Sequence, residues 1–238
     1  MLRFTTLRAG NSPMTALVSI PAKGLAPYPG LVLMPHRGGI DRFTIDRLDR
    51  LAALGIAAVA PDVYHRQPVT TPTTEGKDQL RDDEIEADIG AVLAFIRDDH
   101  RFDRKRLGIL GHCQGGRTAL VGLVANPGAF VLGCIYYGGS VFKRMGAPGP
   151  SPFERLAAVK CPIAGFFGNE DTNPSPADVD RLEAELERLG IPHEFHRYAG
   201  AGHAFQDFTD HRRSREPQGE TAWKETVAFL KRHLRPEI

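Results

Sequence analysis

Cysteine is scarce: the 238 residues hold three, Cys113, Cys134 and Cys161. Their odd number and the lack of any CxxC spacing exclude a disulfide framework and a thiolate metal site, and a reducing compartment is the simplest setting for them. Neither sign of charge is in surplus. Lysine and arginine number 30 against 29 aspartates and glutamates, a formal charge of +1, which excludes a nucleic-acid surface and a polybasic membrane patch. No apolar run approaches the length of a bilayer span, and residues 1–8 contain no continuous apolar h-region, so a cytoplasmic protein without a membrane partner is expected. No motif asks for a metal or cofactor, since His193 and His196 alternate in a strand-like stretch rather than at ligand spacing.

What is present is a rhythm. Residues 3–7 and 14–20 read as two strands joined through Gly10-Asn11-Ser12-Pro13, an antiparallel ribbon at a sheet edge. From Leu31 onward, short apolar runs at 31–34, 56–60, 107–110, 131–137, 161–167 and 193–198 alternate with helical patterns. The first helix starts near Asp41, with Ile45, Leu48 and Ala52 on one face and Gly55 as its stop; an acidic one carries Ile85, Ile89, Val92, Leu93 and Ile96. Ser175 and Pro176 cap a third that Gly190 ends, and Trp223, Val227, Leu230 and Leu234 mark the last. Such alternation predicts an α/β fold with a mostly parallel sheet covered on both faces. No linker divides it: residues 146–152, rich in proline and glycine, read as a loop, as do the threonine-rich residues 65–76, and one domain over residues 1–238 is expected.

The run at 107–110 leads into Gly111-His112-Cys113-Gln114-Gly115-Gly116 and then into a helix-prone stretch. Strand, tight Gly-x-Cys-x-Gly turn and helix is the setting of a nucleophile elbow, with cysteine where serine is more usual. Small residues are required at 111 and 115 because the turn is strained and the helix packs close on the sheet. One sulfur is thereby presented at the positive end of a helix.

In an open parallel sheet, ligands bind beyond the carboxyl ends of the strands. After the run ending at Phe167 comes Gly168-Asn169-Glu170-Asp171, and after the one ending at Tyr198 comes Ala199-Gly200-Ala201-Gly202-His203-Ala204-Phe205. Cys113, an acid at Asp171 or its neighbour Glu170, and His203 therefore follow the order nucleophile, acid, histidine. His36, His65 and His112 are rival histidines; Cys134 and Cys161 lie in apolar runs and read as core.

In order and spacing these three motifs resemble the signatures of the dienelactone hydrolase family of α/β-hydrolases, over nearly the whole chain from about Leu31 and including Ala60-Pro61-Asp62-Val63-Tyr64. The resemblance implies an α/β-hydrolase fold in which Cys113 is the nucleophile, His203 the general base and Asp171 the orienting acid. The reaction it implies is hydrolysis of a small lactone or activated ester through a thioester, with no cofactor, by a monomer or homodimer. The oxyanion would be held by the backbone N–H groups of Gln114 and Arg37. His36, Tyr64, Tyr137 and Phe208 are candidates for the substrate pocket.

Two positions depart from the family pattern. Lactonases of the family commonly carry a glutamate that touches the resting cysteine, where this chain has His36; where the family holds a substrate carboxylate with an arginine, it has Asp207. A neutral ester or a different lactone is favoured accordingly. Arg66 and Arg144 read as surface residues and the acidic run at 81–88 as a solvated helix face. The same residues also fit a thiol-based redox or small-molecule-binding protein that has lost hydrolysis, or a peptidase or transacylase on the same triad.

Overall fold

The computed structural model describes residues 1–67 and 80–236. Its strands are β1 (Leu2–Ala9), β2 (Ser12–Ser19), β3 (Tyr28–Met34), β4 (Ala57–Pro61), β5 (Phe102–His112), β6 (Leu132–Tyr136), β7 (Ile163–Gly168) and β8 (His193–Tyr198). The helices are α1 (Arg42–Ala53), α2 (Asp82–Asp98), α3 (Gln114–Ala125), α4 (Pro176–Arg188) and α5 (Glu216–Leu234), with a short 3-10 helix at Phe153–Ala158. That part of the threonine-rich loop beyond Gln67 lies outside the described residues.

All eight strands join one sheet in the order β1-β2-β4-β3-β5-β6-β7-β8. β2 runs antiparallel to its neighbours β1 and β4, and the pairs from β4 through β3 to β8 are parallel. The chain goes from β3 to β4 on one side and returns as β5 on the other, so the crevice of this α/β sheet opens between β3 and β5. Met34 pairs with Gly111, which brings the loop after β3 level with the Gly111–Gly116 turn. One apolar cluster packs α2, α3 and α4 on one face of the sheet, and a second packs α1 and α5 on the other. Ser175 caps α4 through a reciprocal capping box with Asp178, with Pro176 in the first turn. Among the described residues no helix is long and apolar enough to cross a membrane.

Two sequence expectations are corrected here. Ile45 does not sit on the buried face of α1 but is 37% exposed; the helix buries Phe43, Leu48 and Leu51. The face is turned because Arg47, itself buried, lies between the rings of Phe43 and Trp223, with its guanidinium carbon 5.0 Å from each ring centroid. An arginine whose stem and planar head are covered by aromatic rings is a core residue that apolar periodicity does not count.

The acidic run is likewise not a wholly solvated face, because Asp82 and Asp88 are buried. Asp88 takes Arg66 at 2.7 Å and His65 at 3.1 Å. Asp82 takes both terminal nitrogens of Arg117, at 2.5 and 3.0 Å, and accepts from the Met145 amide at 3.1 Å. Arg117 also donates to the carbonyls of Ser140 and Lys143, so one ion pair ties α2 and the loop after β6 to the first turn of α3. Removing one member of such a pair strands a buried charge. Asp82→Ala is expected to lower stability in urea unfolding by about 3–5 kcal/mol; a loss below about 1 kcal/mol, the value of a surface pair, would contradict the account.

Candidate active site

Cys113 is the hinge between β5 and α3, and its backbone has φ 57° and ψ −121°. A non-glycine residue with positive φ of this kind is strained by about 1–3 kcal/mol and persists only where its surroundings over-determine it. They do so here. The Cys113 amide donates to the Tyr136 carbonyl at 3.0 Å, and a Cβ on Gly111 would lie 2.0 Å from the Gly115 carbonyl oxygen. The N-terminus of α3 thus comes within a backbone's thickness of the β5 end, and the sulfur stands at its positive pole.

Three loops converge on that sulfur. His203, in the loop after β8, brings Nε2 to 2.9 Å from Sγ of Cys113, while its Nδ1 lies 2.8 Å from Oδ2 of Asp171, in the loop after β7. Asp171 is fixed in turn, its other oxygen accepting from the Asn173 amide at 2.8 Å, and its side chain is only 1% exposed. Neighbouring Glu170 is exposed to solvent. With Nδ1–H donated to the carboxylate, Nε2 is the nitrogen within reach of a proton exchange with sulfur.

The electrostatics favour a charged pair. Burial opposes ionisation of the Cys113 thiol, but the hydrogen bond and charge of His203, the Gln114 amide and His36 outweigh it and lower the thiol below its ordinary range. Burial also opposes protonation of His203, yet Asp171 and the Cys113 sulfur push it up to about 10. Burial pushes the other two thiols the opposite way: Cys134 rises well above its ordinary value and Cys161 to about 12. Both are core residues, as their apolar surroundings in the sequence indicate.

The sulfur opens into a cavity of about 440 Å³. His36 and Tyr137, two of the expected pocket residues, line it together with Arg37, Gln114 and Asp207. Tyr137 is 1% exposed overall and meets His203 edge-on at a centroid distance of 5.2 Å. Tyr64 and Phe208, also expected in the pocket, do not line it. Tyr64 stands behind the wall, donating its hydroxyl to Oε1 of Gln114 at 2.7 Å. Phe208 turns away to a neighbouring cavity and lies 5.8 Å beneath the Arg42 guanidinium. Tertiary packing, rather than nearness in the chain to the motifs, decides both. The rival histidines take structural partners: His65 pairs with Asp88 and His112 with Gln206.

The two family departures meet in space. Nε2 of His36 lies 2.9 Å from Oδ2 of Asp41, the N-cap of α1, and its Nδ1 lies 3.8 Å from Oδ2 of Asp207. Burial opposes a charge on His36, but Asp41 and then Asp207 raise it above the ordinary histidine range. Asp207 is further held by the amide and hydroxyl of Thr209. Cavity residues that the sequence reading missed include Arg117, Met145, Asn173 and Arg213. Arg117 had a legible signal, since it lies four residues past Cys113 and so one helical turn above it. Arg213 had none, because only the path of the loop before α5 brings it to the cavity. Arg66 and Arg144 stay outside, paired with Asp88 and Glu86.

The dienelactone hydrolase family profile matches residues 14–234. The chain is 30% identical to a carboxymethylenebutenolidase of Rhodococcus opacus over 217 residues, covering 86% of this chain and 81% of the relative. It is also 30% identical to a carboxymethylenebutenolidase of Pseudomonas putida over 200 residues, covering 80% and 79%. Among solved structures, a dienelactone hydrolase-like promiscuous phosphotriesterase from metagenomic libraries superposes with a TM-score of 0.85 at 16% identity, covering 98% of both chains. The acylaminoacyl peptidase of Pyrococcus horikoshii gives a TM-score of 0.79 at 16% identity, with all of this chain covering 42% of that one. The two structural likenesses show the α/β-hydrolase fold.

Proposed function

The chain belongs to the dienelactone hydrolase family and is a hydrolase of lactone or ester bonds, and from that premise we propose that Cys113, His203 and Asp171 carry the reaction through a thioester. The observation that supports this most is the unbroken line from Sγ of Cys113 through both nitrogens of His203 to a buried carboxylate, at 2.9 and 2.8 Å.

The Cys113 thiolate attacks the carbonyl carbon, forming a C–S bond and placing the charge on the carbonyl oxygen. The amides of Gln114 and Arg37 receive that oxyanion, at the start of α3 and in the loop after β3. Collapse breaks the C–O bond, and the imidazolium of His203 gives its proton to the departing alkoxide. Neutral His203 then takes a proton from water as the water oxygen attacks the thioester; acid is released, the thiolate leaves and the ion pair is restored. A cavity of about 440 Å³ suits a small lactone or ester. His36 on its wall faces the carboxylates of both Asp41 and Asp207 and so offers no unopposed cation to a substrate carboxylate, which favours a neutral ester or a lactone other than a carboxylate-bearing one. A cytoplasmic setting keeps the thiol reduced.

The charge state makes this reading testable. A lowered thiol and a raised imidazole both favour the ion pair between their two titrations, so kcat/KM should rise with pH at an acid limb below the ordinary thiol value of about 8.5. It should fall again as pH rises through about 10, where His203 loses its proton. An acid limb at or above the ordinary thiol value, in a pH–rate profile on a short-chain p-nitrophenyl ester, would contradict the proposal.

A further inference from the structure

A second connection joins the two loops that meet at Cys113 and His203. His112 immediately precedes the nucleophile and Gln206 follows His203 by three residues; both are buried, and His112 Nε2 lies 2.8 Å from Gln206 Oε1. The other end of Gln206 sets the direction of this bond. Its Nε2 donates to the Gly219 carbonyl at 3.1 Å and to the Tyr136 hydroxyl at 3.3 Å, so its oxygen faces His112, whose Nε2 carries the proton. Burial, with Arg47 nearby, holds His112 well below the ordinary histidine range and so neutral. The His112 ring is clamped, stacked on Tyr136 at a centroid distance of 4.4 Å and edge-on to Phe43 at 4.9 Å. The Tyr136 hydroxyl reaches α5, donating to the Ala222 carbonyl at 3.1 Å and meeting Thr226.

We propose that His112 and Gln206 are a positioning pair that holds the His203 loop against the nucleophile turn and thereby sets the Cys113–His203 separation. The proposal rests on the reading of Cys113 and His203 as nucleophile and base. The loop carrying His203 runs from the end of β8 at Tyr198 to the start of α5 at Glu216, too long to hold an imidazole by chain stiffness alone. On its β7 side it is held by Asp171 and by the Glu170 amide, which donates to the Ala201 carbonyl at 2.9 Å. On its nucleophile side the buried amide–imidazole bond does the same task without drawing on the reacting atoms. Charge-assisted hydrogen bonds weaken steeply with length and misalignment, so the ion pair depends on this spacing. The groups that face Cys113 electrostatically are His203, His36 and Tyr137; those that face His112 are Arg47 and His36. Since His112 and Gln206 are both uncharged, breaking their bond alters geometry and leaves that field in place.

The test is the pH dependence of Cys113 alkylation by iodoacetamide, alongside kcat, KM and the thermal midpoint. Cys134 and Cys161 are buried and shifted upward, so the reactive signal belongs to Cys113. Gln206→Met keeps volume and removes the bond; it should raise the apparent thiol pKa by about one unit, a tenfold loss of thiolate at a fixed lower pH, and reduce kcat about tenfold with KM nearly unchanged. His112→Phe, which keeps the ring stacked on Tyr136, should produce the same shift from the other partner. The double variant should be no worse than either single, because both remove one bond. His112→Gln, whose amide N–H falls near the place of Nε2, should restore the wild-type profile. If Gln206→Met and His112→Phe leave the profile unshifted whatever their thermal midpoints, or if His112→Gln shifts as far as His112→Phe, the positioning role is wrong. A wild-type thiol that itself titrates at the ordinary value would instead overturn the triad reading.

Discussion

Cys113→Ala is expected to lower kcat on a short-chain p-nitrophenyl ester by about 10,000-fold or more, leaving only what the pocket and the backbone donors contribute. No other thiol can take over the attack, because Cys134 and Cys161 are buried in the two apolar clusters with their protons held tightly. Folding should survive the change. The positive φ at position 113 costs alanine about what it costs cysteine, and the turn is fixed by backbone contacts rather than by the sulfur. A variant that unfolds at nearly the wild-type temperature and still turns over ester at more than about one-tenth of the wild-type rate would remove Cys113 from the mechanism.

Asp171→Asn is expected to reduce kcat at neutral pH by about 10,000-fold, a size typical of replacing the acid of a hydrolase triad by its amide. Two effects combine. Asparagine offers His203 Nδ1 an N–H in place of a lone pair, which favours the tautomer that leaves no proton on Nδ1 and reverses the orientation needed at Nε2. It also removes the carboxylate that raises His203, so the alkaline limb near 10 should move to lower pH. Burial makes the effect large, since no water can replace a partner whose side chain is 1% exposed. Glu170→Gln is the control: Glu170 is exposed and should change kcat by less than about twofold. If Glu170→Gln proved the more damaging, the acid would be the neighbour.

The elbow was legible in the sequence for a steric reason. Glycine is the only residue without a Cβ to collide where α3 meets the ends of β3 and β5, so the spacing of Gly111 and Gly115 around Cys113 carries the geometry with it. Capping chemistry was equally open to view: Ser175, Pro176 and Gly190 mark the bounds of α4 because each supplies a local need of the backbone. What stayed hidden was polar burial. Asp82 and Arg117 stand 35 positions apart, and only the sheet's crossover brings them together, so an acidic run looked solvated. Arg47 between two aromatic rings turned α1 away from the face that Ile45 suggested. Tyr64 and Phe208 were near the right motifs in the chain and outside the cavity in space, while Arg213 reaches it along a loop that has no sequence signature. The His36–Asp207 contact shows the same limit, for each departure could be read singly but their meeting could not.

The most direct test of the central claim is intact-protein mass spectrometry on enzyme quenched in acid during turnover of a short-chain ester. The account predicts one added acyl mass, removed by hydroxylamine and mapped to the peptide containing Cys113. An acyl group on any other residue, or steady turnover in which a rapid quench never captures an adduct and Cys113→Ala keeps its activity, would contradict it.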